Sequence, residues 1–223
     1  MSISIPHGAT GAALRALIAF SLLLPCTAVR AQERLPTIAP EAYTPAQKQA
    51  ADAFLAERGT PVRGPFEPMM YSPEVMTRAR AMGDYLRYHS LVGNRLSEFI
   101  ILLTARDWNQ DYEWSVHAAI AQKAGISPAI IEDLRNGRRP RTMGDDETMI
   151  YDFVMQLQRE RRVSDEAFAR VERRFGKPAV VDITAIVGYY ALNAMMLNVA
   201  QVPPADGSRL PAPAASREAG RQH

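Results

Sequence analysis

The stretch Glu98-Phe-Ile-Ile-Leu-Leu-Thr-Ala-Arg-Asp-Trp-Asn-Gln-Asp-Tyr-Glu-Trp-Ser-Val-His117 contains an apolar run, a polar break and an amphipathic run. Ser97-Glu98 opens the apolar run Phe99 to Leu103, which continues to about Trp108 with no period-2 alternation and therefore reads as a buried helix. After the break, Asp111 is placed to cap a second helix that runs through Lys123 and is closed by Gly125. Glu113 and His117 lie four residues apart on it and face the same side, flanked by Trp114 and Ala121, with Gln110 just before its start.

The same helical pattern extends in both directions. Thr44-Pro45 supplies an N-cap and an N1 proline for a helix to about Glu57, stopped by Gly59. Ser72-Pro73-Glu74 opens another to about Tyr88, with Val75, Met76, Ala79, Met82 and Leu86 at helical spacing. Ser127-Pro128 starts a short helix ended by Asn136-Gly137; Asp145–Arg162 and Ser164–Phe175 are amphipathic, and Lys177-Pro178 opens a last helix to about Val202. Ile183 to Val202 carries no charge, but Thr184, Tyr189, Tyr190, Asn193, Asn198 and Gln201 interrupt it, which fits a core or subunit-interface helix rather than a membrane span. No strand run and no internal repeat occur, so the expected fold is all-α, one domain of about eight helices over 46–203.

The chain ends read differently. Residues 1–31 hold Arg15 and Arg30, no acid, the short apolar core Ala16 to Leu24, Pro25, and a Val29-Arg30-Ala31 end, which are the parts of a secretory signal peptide cut after Ala31, the alternative being an uncleaved N-terminal anchor. The expected location is thus periplasmic or secreted, with no membrane association after cleavage. Residues 32–45 read as a proline-rich linker and 204–223 as a disordered tail. Of 26 basic and 24 acidic side chains, Arg15 and Arg30 leave with the signal, and so does Cys26, the only cysteine. The remaining chain is formally neutral and thiol-free. A disulfide framework, a CxxC redox pair and a cysteine zinc site are excluded, and no basic footprint for nucleic acid is present.

The chemistry-bearing residues are Glu98, Glu113 and His117. A carboxylate among apolar neighbours, as at Glu98, must be hydrogen-bonded or carry a raised pKa, and an imidazole beside carboxylates is the usual unit for proton transfer near neutral pH. Two other readings of the same residues stand beside this one. A Glu–His pair at this spacing also occurs as a solvated helix pair, and Glu98, Glu113 and His117 together could ligate a metal. Of the four histidines, His7 and His223 fall in the signal and the tail, leaving only His89 and His117 for a metal; the expectation is no metal and no cofactor.

Glu98, Gln110, Glu113 and His117 fall at the intervals of a Glu-x11-Cys-x2-Cys-x3-His signature, with Gln110 and Glu113 at the cysteine positions. On this segment the chain resembles the carboxymuconolactone decarboxylase family, which shares its fold with the alkylhydroperoxidase-D-like (AhpD-like) proteins, and in particular its cysteine-free members. Gly64-Pro65-Phe66 before the Ser-Pro-Glu helix start, Gly125-Ile-Ser-Pro, Val187-Gly188-Tyr189-Tyr190 with Asn193, and Val202-Pro203 extend the resemblance over roughly 64–203. It implies an AhpD-like helical bundle, oligomeric as a homotrimer or homohexamer, acting on a small-molecule substrate. It also implies that Glu98, Glu113 and His117 are the catalytic residues. A peroxidase or peroxiredoxin activity, the family's other label, needs thiols that this chain lacks.

For the decarboxylase branch the expected chemistry is loss of CO₂ from a small unsaturated lactone or carboxylic acid, or a related isomerisation, followed by protonation at carbon. In that scheme His117 is the acid/base, Glu98 orients it, Glu113 relays protons and Trp114 excludes water. Arg106 is the expected anion clamp, Gln110, Tyr189 and Asn193 the other substrate-binding residues, with Tyr190 near them, and Gly64-Pro65-Phe66 a rigid loop or lid. The alternative of another class is an oligomeric small-ligand binder without turnover.

Overall fold

The computed structural model describes Met1 and residues 34–212. The signal-peptide reading, Cys26, and the last part of the expected tail lie outside the described residues. In order, the helices are α1 (Pro45–Arg58), α2 (Phe66–Met69), α3 (Pro73–Tyr88), α4 (Gly93–Asp107), α5 (Asp111–Lys123), α6 (Pro128–Arg135), α7 (Asp145–Glu160), α8 (Asp165–Phe175) and α9 (Lys177–Ala200). No strand occurs among the described residues, and a single 3-10 turn at Pro40–Ala42 precedes α1. The all-α bundle is as expected; the one-turn α2 carries too few residues to show a period.

The local signals that place these helices are chemical. Thr44 caps α1 in a reciprocal box with Gln47, and Gly59 closes it with φ +66°, a conformation that costs glycine no Cβ clash. Ser127 and Ser164 accept from the N–H groups of Ile130 and Ala167 at the starts of α6 and α8.

Two helix starts differ from the sequence expectation. Helix α4 begins at Gly93, four residues before Ser97, whose hydroxyl is bonded instead to Ser90 Oγ at 2.8 Å. The loop before α4 is held from elsewhere: Asp182 of α9 accepts the Leu91 N–H at 2.9 Å. Helix α5 is capped by Gln110, whose side-chain oxygen accepts from Tyr112 N–H at 2.6 Å, while Asp111 accepts from Leu210 N–H.

Helix α4 is the axis of the domain, packed against α3, α5, α6, α7 and α9. Ten consecutive residues, Leu96 to Ala105, are buried, so it contacts neighbours all round rather than along one stripe. Burial of Phe99, Ile100, Ile101 and Leu102 contributes roughly 1.5–3 kcal/mol each. Glu98 lies in this same buried stretch at 0% exposure, which turns a stability element into a candidate site. Helix α9 is long and apolar enough to cross a bilayer, yet half of its residues are buried within the domain, consistent with a core helix. Its other face exposes Val181, Leu192, Met195 and Val199.

Parts of the two flanking segments lie against the helices. Arg34 N–H donates to Ala200 O, and Tyr71 Oη donates to Pro36 O. At the other end Leu210 is buried, and Ser115, Asp111, Arg135 and Arg106 hold the backbone of Ala205, Leu210, Arg209 and Pro211. These contacts are to backbone groups, which any sequence supplies.

Candidate functional site

Helices α4 and α5 bring the sequence-selected residues together. His117 Nδ1 lies 2.7 Å from Glu98 Oε2, with both side chains almost fully buried. A carboxylate only accepts, so Nδ1 carries the proton in this bond and Nε2 is left as the working nitrogen. The second Glu98 oxygen accepts from Arg87 Nε of α3 at 3.3 Å. Burial opposes the Arg87 charge, but Tyr190 and Glu98 beside it hold its pKa above the ordinary value. The buried Glu98 charge is thereby paired on both oxygens, which removes most of the penalty of desolvating it.

Glu113 is one turn before His117 on the same face, as its spacing demanded. It is buried, its Oε2 has no hydrogen-bond partner, and its pKa is pushed up to about 8 by burial first and by the Glu98 charge second, with Arg87 opposing. Near neutral pH it is therefore mostly a neutral acid, able to donate a proton or a hydrogen bond. The pair thus has divided roles: one carboxylate held as a partner of cations, the other kept protonated.

Glu113 and His117 open onto a cavity of about 310 Å³. Glu113, His117, Tyr189, Tyr190 and Asn193 of α5 and α9 line it, together with Gly64, Pro65 and Phe66. The edge of Tyr190 meets the His117 ring at 5.2 Å between centroids and 86° between planes, and Tyr189 meets Tyr190 in the same way. Burial pushes Tyr189 up to about 12, with a hydrogen bond to Asn193 opposing, and pushes Tyr190 up well above its ordinary value. Both phenols stay protonated and can donate. Gly64 has φ +64° and packs against Tyr112, whose hydroxyl would lie 2.8 Å from a Cβ there, so only glycine allows this wall to approach α5.

Three expected residues lie elsewhere. Gln110 acts as the α5 cap and donates Nε2–H to Asn198 Oδ1 at 2.8 Å. Trp114 is packed in the core at 3% exposure rather than on the cavity wall. Arg106, eight residues beyond Glu98 on α4, is rotated away by about 80° and displaced by about 12 Å. It bonds Asn109 and Pro211 O and lines a different cavity. The cations that do line the site are Arg58, Arg63 and Arg87. Sequence reasoning missed them because none shares a helix with Glu98 or His117. Arg58 is fixed by Asp84 at 2.6 Å and by the faces of Phe54 and Phe66, whereas Arg63 is exposed at the rim. Among the described residues no three His, Cys, Asp or Glu side chains form a metal-holding group.

No family model matches the chain, and no curated protein matches it. Solved structures do. A peroxidase-related protein from Ralstonia eutropha JMP134, described as an alkylhydroperoxidase AhpD core, superposes with a TM-score of 0.64 at 19% identity over 78% of this chain and 93% of that one. A peroxidase-related protein from Silicibacter sp. TM1040 gives 0.63 at 14% identity over 82% and 100%. A Cys→Ala variant of the debrominase Bmp8, in complex with 2,3,4-tribromopyrrole, gives 0.59 at 12% identity over 86% and 98%. With α4 and α5 carrying the Glu98, Gln110, Glu113 and His117 spacing inside such a bundle, the chain has the AhpD-like fold.

Proposed function

We propose that the protein is a thiol-free acid–base enzyme of carboxymuconolactone decarboxylase type, a lyase or isomerase acting on a small unsaturated lactone or carboxylic acid. The observation that carries this reading is the buried Glu98–His117 hydrogen bond beside a carboxyl group kept neutral, at the wall of a cavity lined by three arginines.

In the proposed reaction Arg63 at the rim, with Arg58 and Arg87, attracts and orients the substrate carboxylates. Breaking the bond to the departing carboxylate releases CO₂ and leaves its electron pair as a dienolate on the lactone. The neutral Glu113 donates a hydrogen bond to the oxygen where that charge collects. Protonated His117, oriented and stabilised by Glu98, delivers a proton to carbon from Nε2 and is reprotonated from solvent for the next turnover. For an isomerisation the same groups abstract and return a proton without loss of CO₂. A thiol peroxidase cycle is outside this chemistry, because Gln110 caps a helix and Glu113 is a carboxylic acid where that cycle needs cysteines.

The sequence features at the N-terminus support export with cleavage after Ala31, so the substrate met would be an extracytoplasmic one. The exposed apolar face of α9 favours self-association as a homotrimer or homohexamer. The test is a screen of small lactones and unsaturated acids for CO₂ release or ultraviolet change, with His117→Ala alongside. Turnover lost in that variant at an unchanged circular-dichroism spectrum supports the proposal, and a fully active variant overturns it.

A further inference from the structure

Two buried tyrosines line the cavity beside His117, and the reaction proposed above uses neither. They differ in what holds them. The Tyr189 hydroxyl is hydrogen-bonded with Asn193 and packs against α3 at Gly83, which has no Cβ to obstruct it. Tyr190 has no such tether: among the described residues no protein group hydrogen-bonds its hydroxyl. The hydrogen bond that this hydroxyl can donate is left for a bound molecule.

The fold fixes where that donor stands. The Tyr190 edge meets the His117 ring at 5.2 Å between centroids and 86° between planes, so the phenol flanks the working imidazole from α9. Glu113 flanks it from α5, one turn before His117, with Oε2 unpartnered among the described residues. Burial first and the neighbouring Glu113 carboxyl second favour the protonated phenol, and Arg87 opposes them. A cation beside a phenol polarises the O–H bond without removing the proton, which strengthens the hydrogen bond it donates.

A phenol and an un-ionised carboxylic acid together suit an oxygen that gains charge during a reaction. Each donates more strongly to the oxyanion than to the neutral carbonyl it comes from, because a hydrogen bond to a charged acceptor is the stronger one. We infer that Tyr190 is a further catalytic residue, the second donor beside Glu113 in an oxyanion hole for the enolate oxygen of the substrate. The inference rests on the enolate-forming reaction proposed above, and it narrows the substrates of that reaction. Their carbonyl lies β or vinylogous to the departing carboxylate or, for an isomerisation, adjacent to the carbon that loses its proton. Only from those positions does the released electron pair reach an oxygen held by the pair. Neither donor gives up its proton; the one delivered to carbon comes from His117 Nε2.

Para-nitrophenol ionises to an enolate-like oxyanion on a single ring, and para-nitroanisole is the same ring with that oxygen methylated. Titrating each into the full chain near neutral pH, followed by calorimetry and, for the phenol, by its absorbance, tests the donor pair. The parent is expected to bind para-nitrophenol saturably, with the bound probe more ionised than the free one, and at least about ten-fold more tightly than para-nitroanisole. Tyr190→Phe should weaken the phenol by about ten-fold, the loss of one charge-assisted hydrogen bond, and leave para-nitroanisole unchanged. If Tyr190→Phe unfolds, the preference of the parent between the two probes decides. Four results overturn the inference: no saturable binding of the phenol by the parent, equal affinity of the parent for both probes, a phenol affinity untouched by Tyr190→Phe, or a loss in that variant that is the same for both probes, which marks a packing role. Neither probe is a substrate. The expected preference with no lactone or acid turned over would therefore overturn the proposed reaction and support the donor pair, whereas turnover at the parent's kcat in Tyr190→Phe would overturn the pair and leave the reaction standing.

Discussion

His117 Nδ1 and Glu98 Oε2 stand 2.7 Å apart, a buried α5-to-α4 contact between residues nineteen apart in sequence. Among the described residues neither atom has a second hydrogen-bond partner. If the pair is an acid–base unit, Glu98→Gln should keep the shape and lose the orienting charge. Turnover is expected to fall by about 10²–10⁴, as for loss of a positioned acid or base, with KM little changed and the melting temperature only modestly lower. Steady-state kinetics beside a thermal melt separate this from unfolding.

Glu113 predicts an unusual dependence of stability on pH. Its folded pKa of about 8 lies above the usual carboxyl value of 4.5, so between those pH values the native state binds the proton that the unfolded state has released. Its contribution is therefore full below about pH 4.5 and is lost as pH rises through about 8. Glu113→Gln, which stays neutral, should gain stability relative to the parent over that window, by roughly 3–5 kcal/mol at its upper end. Urea unfolding of both proteins at pH 5 and pH 8.5 checks the sign; a difference that does not change with pH rejects the buried, neutral Glu113.

How much of this was legible in the sequence follows from the range of each interaction. Thr44-Pro45, Ser127-Pro128 and Ser164 announce their helices because a cap bonds its own first turn, and Glu113 and His117 share a face because four residues make one turn. The start of α4 was misplaced because Asp182, far along the chain, holds the Leu91 N–H before it. Arg87 was missed for the same reason: α3 and α4 meet only in the fold, and no helical period links Arg87 to Glu98. Arg106 was chosen because it shares a helix with Glu98, but eight residues is a little over two turns, and it points elsewhere. Spacing along one helix is readable; which helix stands opposite is not.

Gly83 and Tyr189 give a prediction with an inverted sign. Alanine in place of glycine inside a helix normally stabilises by roughly 1 kcal/mol. At position 83 of α3 the new Cβ would lie 2.2 Å from the Tyr189 hydroxyl and 2.5 Å from its ring carbon, inside any permitted contact. Gly83→Ala should therefore destabilise, by about 1–3 kcal/mol, and disturb the cavity wall that Tyr189 forms. In a Tyr189→Ala background the same change should become neutral or stabilising, so a double-mutant cycle should show strong coupling. Additive effects would mean that α3 and α9 do not approach as closely as this.

Arg63 separates binding from chemistry. It sits exposed at the cavity rim and makes no ion pair among the described residues, so its removal should leave the fold and the Glu98–His117 bond intact. If it draws in an anionic substrate, Arg63→Gln should raise KM about ten-fold with kcat nearly unchanged, the pattern of lost uniform binding. The parent's kcat/KM should fall with added salt more steeply than the variant's, because a rim charge acts through screened solvent. A variant that loses kcat instead, or that keeps the parent's salt dependence, would place the anion's contact deeper, at Arg58 or Arg87, where Arg58 is already tied to Asp84 and Arg87 to Glu98.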